Sequence, residues 1–133
     1  MSEFAGLFRP ESLAPFYTEE RCHISELLNT PQCNEVSLAE CRVAPGVTTQ
    51  LHSLSVAERY VIQQGRGVME LRMSSPFAIE VGDCVLIPAD CPQRVVNTGA
   101  EDLVFLCVCT PRFEGHCYAV LETGATAPIE GVS

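Results

Sequence analysis

From Val36 to Phe113, apolar and polar residues alternate in short runs, the period of strands that bury one face. "VSLAECRVAPG" alternates and stops at Pro45-Gly46, and "TTQLHSLS" alternates after it. "ERYVIQQGRGVMELRM" reads as a strand, a turn at Gly65–Gly67 and a returning strand. "FAIEVGDCVLIPADCPQRVVNTGAEDLVFLCVCTP" holds three more short strands, broken at Gly82-Asp83, at Pro88 to Pro92 and at Asn97 to Gly99. No long helical period competes. Short strands at close spacing with Gly/Pro turns predict an all-β sandwich or barrel.

The flanks read differently. Residues 1–35 carry the signals of an arm, with "FRPESLAPFYTEE" punctuated by Pro10 and Pro15. "HISELLNTPQC" fits one helical turn or a strand, ended by Pro31. The tail, "RFEGHCYAVLETGATAPIEGVS", is expected to hold a short helix and then fray. With 133 residues the chain is expected to be one domain: arm 1–35, barrel 36–113 and tail 114–133.

Alternate side chains of a strand share a face. If His52 points into the barrel, Gln50 and Leu54 do too. Glu58, Tyr60 and Ile62 then form a second inward row, and Gln93, Val95 and Asn97 a third. Met69, Leu71 and Met73 supply an apolar wall. A His, a Glu and a Gln thus converge in a lumen of Leu, Ile, Val and Met, the composition of a small-ligand site.

These positions carry a resemblance. Gly46, His52, Glu58 and Gly65 fall on the spacing of the first cupin motif: Gly, five residues, His-x-His, three or four residues, Glu, six residues, Gly. Gly82, Pro88 and Asn97 fall on the second: Gly, five residues, Pro-x-Gly, two residues, His, three residues, Asn. From about Val36 to Phe113 the chain resembles the small single-domain cupins. The resemblance implies a jelly-roll or double-stranded β-helix barrel. Cupins typically bind a metal through three His and one Glu. Here Leu54 stands at the second His of the first motif. Gln93 stands at the His of the second, and Asp90 replaces the Gly before it. The resemblance also implies a homodimer in which the N-terminal arm pairs with the partner's sheet.

Three readings of the lumen follow. In the first, His52, Glu58 and Gln93 hold one divalent metal, with Fe, Mn, Ni or Zn all compatible with nitrogen and oxygen donors. In the second, the pocket is metal-free. Burial raises the Glu58 pKa, and Glu58 with His52 does acid–base catalysis on a small carbonyl or sugar-like substrate. In the third, His52 and Glu58 pair to fill a core. In the two functional readings Glu58 and His52 are the catalytic residues, and Gln50, Tyr60, Gln93 and Asn97 bind ligand. Cupins include dioxygenases, isomerases, epimerases, decarboxylases and lyases, so the expectation is a small-molecule enzyme or binder, with a non-catalytic sensor as the alternative.

Charge and cysteine content narrow the partners. The net charge is −9, Lys is absent and all eight basic residues are Arg, which disfavours nucleic acid and anionic membrane. No apolar run reaches membrane-spanning length, and "MSEFAGLFRPES" has no signal-peptide pattern, so a cytoplasmic location is expected. The eight Cys are then read as reduced and mostly buried. Cys107 and Cys109 on one strand face, with His116 beside Cys117, raise a soft-metal alternative, but core packing is the better account. Of the eight, Cys91, in the turn before Gln93, is the best candidate for an exposed, reactive thiol at the pocket mouth, with simple turn packing the favoured account, and His23 is expected on the surface.

Overall fold

The computed structural model describes residues 5–10, 15–72 and 74–122. Two antiparallel sheets face each other. The first runs in the order β1 (Phe16–Tyr17), β2 (His23–Thr30), β3 (Cys33–Val43), β10 (Leu103–Thr110), β5 (Ala57–Gln64), β8 (Cys84–Ile87). The second runs β11 (Tyr118–Val120), β4 (His52–Leu54), β9 (Gln93–Asn97), β6 (Arg66–Leu71), β7 (Phe77–Glu80). This is the all-β barrel that the alternation predicted, in the jelly-roll form that the cupin resemblance implied. A single 3₁₀ turn, Gly115–Cys117, precedes β11.

The periodicity sets which side chains face inward. On β5, Glu58, Tyr60 and Ile62 are buried while Arg59, Val61 and Gln63 face out or lie at half depth. On β9, Gln93, Val95 and Asn97 are buried. The hairpin from β5 to β6 turns at Gly65, whose φ of +79° favours glycine. A Cβ there would sit 2.7 Å from the Asp102 carbonyl, and one at Gly67 would sit 2.4 Å from the Val96 carbonyl. The Gly of the second cupin motif is replaced by Asp90, which itself adopts a positive φ of 65°.

The structure departs from the sequence reading in three places. "FAIEV…CVCTP" forms four strands, β7 to β10, because the break at Gly82-Asp83 separates β7 from β8. Part of the segment expected as an arm, residues 23–30, already belongs to the first sheet. β2 pairs with β3 from His23↔Arg42 to Thr30↔Cys33, so "HISELLNT" is a strand of this chain's own first sheet. The tail adds β11, which pairs with β4 at Tyr118↔Leu54 and Val120↔His52.

The interior has a packed end and an open end. Val43, Ile62, Met69, Val95, Leu103 and Phe105 fill the packed end, each nearly or fully buried. Met73, placed in the apolar wall by sequence, lies outside the described residues. At the other end the two sheets enclose a cavity of about 240 Å³.

Candidate active site

Three strands, β4, β5 and β9, carry the expected residues to one place. His52 and Gln93 are opposite each other where β4 meets β9. Glu58 lies opposite Cys109, and Tyr60 opposite Cys107, where β5 meets β10. The second sheet then reaches the first through side chains. Gln93 Nε2 donates to Glu58 Oε1 at 2.9 Å, and the Tyr60 hydroxyl donates to Gln93 Oε1 at 2.7 Å. Gln93 is fully buried, so this chain of bonds fixes the direction of its amide.

Glu58 is 6% exposed and forms part of the cavity wall. Burial pushes its carboxyl up to about 7, against the opposing pull of the Gln93 amide. Its second oxygen has the Cys109 thiol nearby, at 4.0 Å, and the Cys107 thiol also contacts the carboxyl. His52 is 3% exposed and also lines the cavity. Its Nδ1 lies 2.7 Å from the Gln50 carbonyl oxygen, which can only accept, so Nδ1 carries the proton and Nε2 is left as an acceptor. Burial lowers the His52 pKa, favouring this neutral form. Tyr118 stacks on the imidazole at a centroid distance of 4.7 Å and an interplanar angle of 10°.

The other expected residues are placed differently. Gln50 does not line the cavity. Its side-chain oxygen accepts from the Tyr118 hydroxyl at 2.7 Å, which holds the ring against His52. Asn97, expected to bind ligand, is a backbone clamp at the packed end. Its amide donates to the Val43 and Glu101 carbonyls, both at 2.8 Å, and its oxygen accepts from the Gly99 amide at 2.9 Å. Both N–H groups of the Asn97 amide are spent on backbone, and Asn97 does not line the cavity. Cys91 is half-buried, packs against the core and does not line the cavity. The exposed cysteine is Cys84. His116 is exposed while the neighbouring Cys117 is buried, so these two do not act as one site. His23 is exposed, as expected, with its ring edge against Tyr17.

The arrangement does not fit a bound metal through His52, Glu58 and Gln93. The Gln93 oxygen is taken by Tyr60, and its NH₂ group faces Glu58, where a metal would need a lone pair. Leu54, buried in the cavity wall, offers no donor at all. Among the described residues, no group of three or more His, Cys, Asp or Glu side chains is placed to hold a metal ion.

Three features escaped the sequence reading. Glu20, in the loop between β1 and β2, is a second carboxyl on the cavity wall, pushed up to about 7 chiefly by burial. Reading "RCHISELLNT" as an alternating strand would have drawn its preceding loop over the barrel. The loop is pinned by Arg21, which forms a two-pronged ion pair with Glu122 at 2.8 and 3.1 Å and donates to the Thr48 carbonyl at 2.8 Å. Tyr118 was hidden in a tail expected to fray. Third, the buried thiols do more than fill core. Cys22, Cys41, Cys107 and Cys109 all line the cavity, and Cys41 and Cys107 have their sulfurs 3.1 Å apart. Burial pushes Cys107 and Cys109 up to about 12, so both stay as thiols.

Comparison with known proteins agrees with this architecture. The cupin domain family matches residues 39–109, more than half of the chain. The chain is 33% identical to an uncharacterized protein of Methanocaldococcus jannaschii, MJ1618, over 84% of this chain and 91% of that one. A predicted oxalate decarboxylase from Thermotoga maritima superposes with a TM-score of 0.69 at 23% identity, covering 80% of this chain and 99% of the other. The polyketide cyclase RemF from Streptomyces resistomycificus superposes with a TM-score of 0.67 at 18% identity, covering 80% of each chain. At those identities the two structures share a fold with this chain and nothing finer. The two-sheet barrel, the motif spacing and the family match together make this chain a member of the cupin family.

Proposed function

We propose that this protein is a small-molecule enzyme that moves a proton within a bound substrate, with Glu58 and His52 as its acid–base pair. One observation carries the reading: a carboxyl sealed into a cavity wall, held in one orientation by Gln93, with a pKa of about 7. A group that is half protonated near neutral pH can both give and take a proton, which is the requirement for general acid–base work. His52 complements it. Its neutral ring presents Nε2 as a base while the Gln50 carbonyl holds the other nitrogen. Together they suit an isomerisation, elimination or cyclisation in which one site removes a proton and another returns it. That a polyketide cyclase and a predicted oxalate decarboxylase have this fold supports an enzyme reading, and neither fixes the substrate here.

The test uses wild-type protein and Glu58→Gln, incubated separately with a small-metabolite extract and read by mass spectrometry. Wild type should deplete one compound and accumulate an isomer or an elimination product. Glu58→Gln should retain the same compound unchanged. A compound captured by wild type and recovered unaltered would make the protein a binding cupin or sensor instead.

A further inference from the structure

We propose that the cavity takes an organic ammonium ion with an apolar body, because carboxyls, an imidazole lone pair and aromatic rings line it and no Arg or Lys does. This rests on the cavity being the ligand site and adds the chemical class of the ligand.

Most hydroxyl and amide donors of the wall are spent inside the protein. The Tyr60 hydroxyl goes to Gln93 and the Tyr118 hydroxyl to Gln50. The Thr18 hydroxyl donates to the Cys22 carbonyl and the Thr49 hydroxyl to the Val95 carbonyl. The Asn29 amide donates to Glu26 at 2.9 Å and to the Phe113 carbonyl at 2.8 Å. What faces the cavity is His52 Nε2, the carboxyls of Glu58 and Glu20 with thiols beside them, and the Ser37 hydroxyl, whose oxygen accepts from the Phe113 amide. A ligand that satisfies these must bring N–H or O–H groups. Among the described residues no fully buried side-chain nitrogen or oxygen lacks a partner, so these atoms are open to the cavity, where a ligand's N–H groups would meet them.

Charge sharpens it. Glu20, Glu26 and Glu58 all line the cavity, with no guanidinium among the lining residues. The nearest Arg side chains are committed elsewhere: Arg21 to Glu122, Arg59 to Thr110, and Arg112 to Asn29, Asn34 and Glu114. A carboxylate or phosphate ligand would meet three carboxyls and no cation. An ammonium meets two carboxyls and an imidazole lone pair. The rest of the wall suits its body, since Phe16, Tyr60, Phe105, Phe113 and Tyr118 supply aromatic surface, and ring faces attract cations. The remaining titratable neighbours stay as neutral thiols: thiol contacts first and burial next raise the pKa values of Cys22 and Cys41, and burial chiefly raises those of Cys107 and Cys109.

Binding is then coupled to protons. The two carboxyls are partly protonated near neutral pH, and an ammonium favours their ionised forms. Each binding event releases protons, and affinity rises as pH rises through about 7.

Three probes of one shape decide: benzylamine, benzyl alcohol and benzoate, titrated calorimetrically into the full chain slightly above neutral pH. Benzylamine should bind at least about tenfold tighter than benzyl alcohol, a difference of about 1.4 kcal/mol, with benzoate undetected. Its heat should vary with the ionisation enthalpy of the buffer in the sense of proton release. Glu20→Gln and Glu58→Gln should each weaken benzylamine by about tenfold and leave benzyl alcohol almost unchanged. If Glu58→Gln fails to fold, the probe order and the proton release of wild type still decide. Benzoate binding as tightly as benzylamine, no proton release, or no binding of any probe to folded protein would overturn the ammonium class. Proton-transfer chemistry at Glu58 would survive each of those results, since the metabolite experiment tests it separately.

Discussion

Gln93 and Asn97 sit four residues apart on one face of β9, and both are almost completely buried. One serves the cavity and the other serves the fold. Asn97 spends its side chain on three backbone groups, from Val43, Gly99 and Glu101, at the packed end. Gln93 spends its side chain on two other side chains, Glu58 and Tyr60, across the gap between sheets. An amide that ties backbone to backbone makes a turn rigid. An amide that ties side chain to side chain orients chemistry. The pair shows that buried polar residues at matching positions of one strand need not share a purpose, and that the partner, not the burial, tells them apart.

The largest effect expected from breaking this contrast is at Asn97. Asn97→Ala strands two carbonyls and an amide N–H in or near the core, at about 1–3 kcal/mol for each group left unsatisfied. We expect a loss of about 3 kcal/mol or more in urea unfolding. The pH at which Glu58 titrates should not move, because no bond of Asn97 reaches the cavity. A stability loss accompanied by a shifted Glu58 titration would mean that the two ends are coupled.

β5 repeats the contrast along one strand. Ile62 packs in the core, Tyr60 stacks on Phe105 at 4.2 Å while bonding Gln93, and Glu58 opens onto the cavity. Within two turns of the pleat the same face passes from apolar contact to a titratable group. That group makes stability depend on pH. The Glu58 carboxyl titrates near 7 in the fold and near 4.5 when unfolded, so between those values the native state holds a proton that the unfolded chain has released. Its contribution is full below about pH 4.5, falls through the window and is lost above about 7. A shift of that size corresponds to about 3 kcal/mol at about 1.4 kcal/mol per pH unit. Glu20 acts in the same direction, while His52, with its lowered pKa, contributes above about 6.5 and loses that contribution as pH falls. Glu58→Gln should flatten the fall between mildly acidic and mildly alkaline pH by roughly half. Melting curves across that range check it, and an unchanged slope would place the titrating group elsewhere.

Much of this was legible in the sequence. The alternation gave the all-β barrel, and the motif spacing brought His52, Glu58 and Gln93 together from three separate strands. Spacing works there because register is set by a two-residue period and by turns at Gly46, Gly65 and Gly82. It fails for Asn97, since the same inward direction serves a turn clamp or a ligand contact equally. It fails for Glu20 and Tyr118 because their positions depend on pairings made at long range. β2 onto β3 brings in the Glu20 loop, and β11 onto β4 brings in Tyr118. No local pattern in "TEERC" announces an ion pair from Arg21 to Glu122, about one hundred residues away.

The smallest expected effect addresses what separates this cavity from a metal-binding cupin. Leu54 lies two residues from His52 on β4 and lines the cavity, and Gln93 is the direct register partner of His52. Leu54→His together with Gln93→His therefore restores two imidazoles at positions whose backbone already faces the ring of His52. The double substitution also frees Glu58 from the amide that now bonds it, so its carboxylate becomes available as a fourth ligand. Affinity for Zn(II) or Ni(II) should rise by more than about tenfold over wild type, that is by more than about 1.4 kcal/mol. The metal-free variant should be somewhat less stable, because a buried Leu and a fully bonded amide give way to imidazoles that lack partners until metal binds. Titration calorimetry on both proteins, with circular dichroism to confirm the fold, separates the outcomes. A gain would mean that the Leu54 and Gln93 side chains are what divide an ammonium-type cavity from a metal centre on one backbone. Unchanged affinity in a folded variant would mean that positions 54 and 93 do not converge with His52 and Glu58 closely enough for shared ligation. The Gln93–Glu58 bond would then have to be looser in solution than 2.9 Å implies.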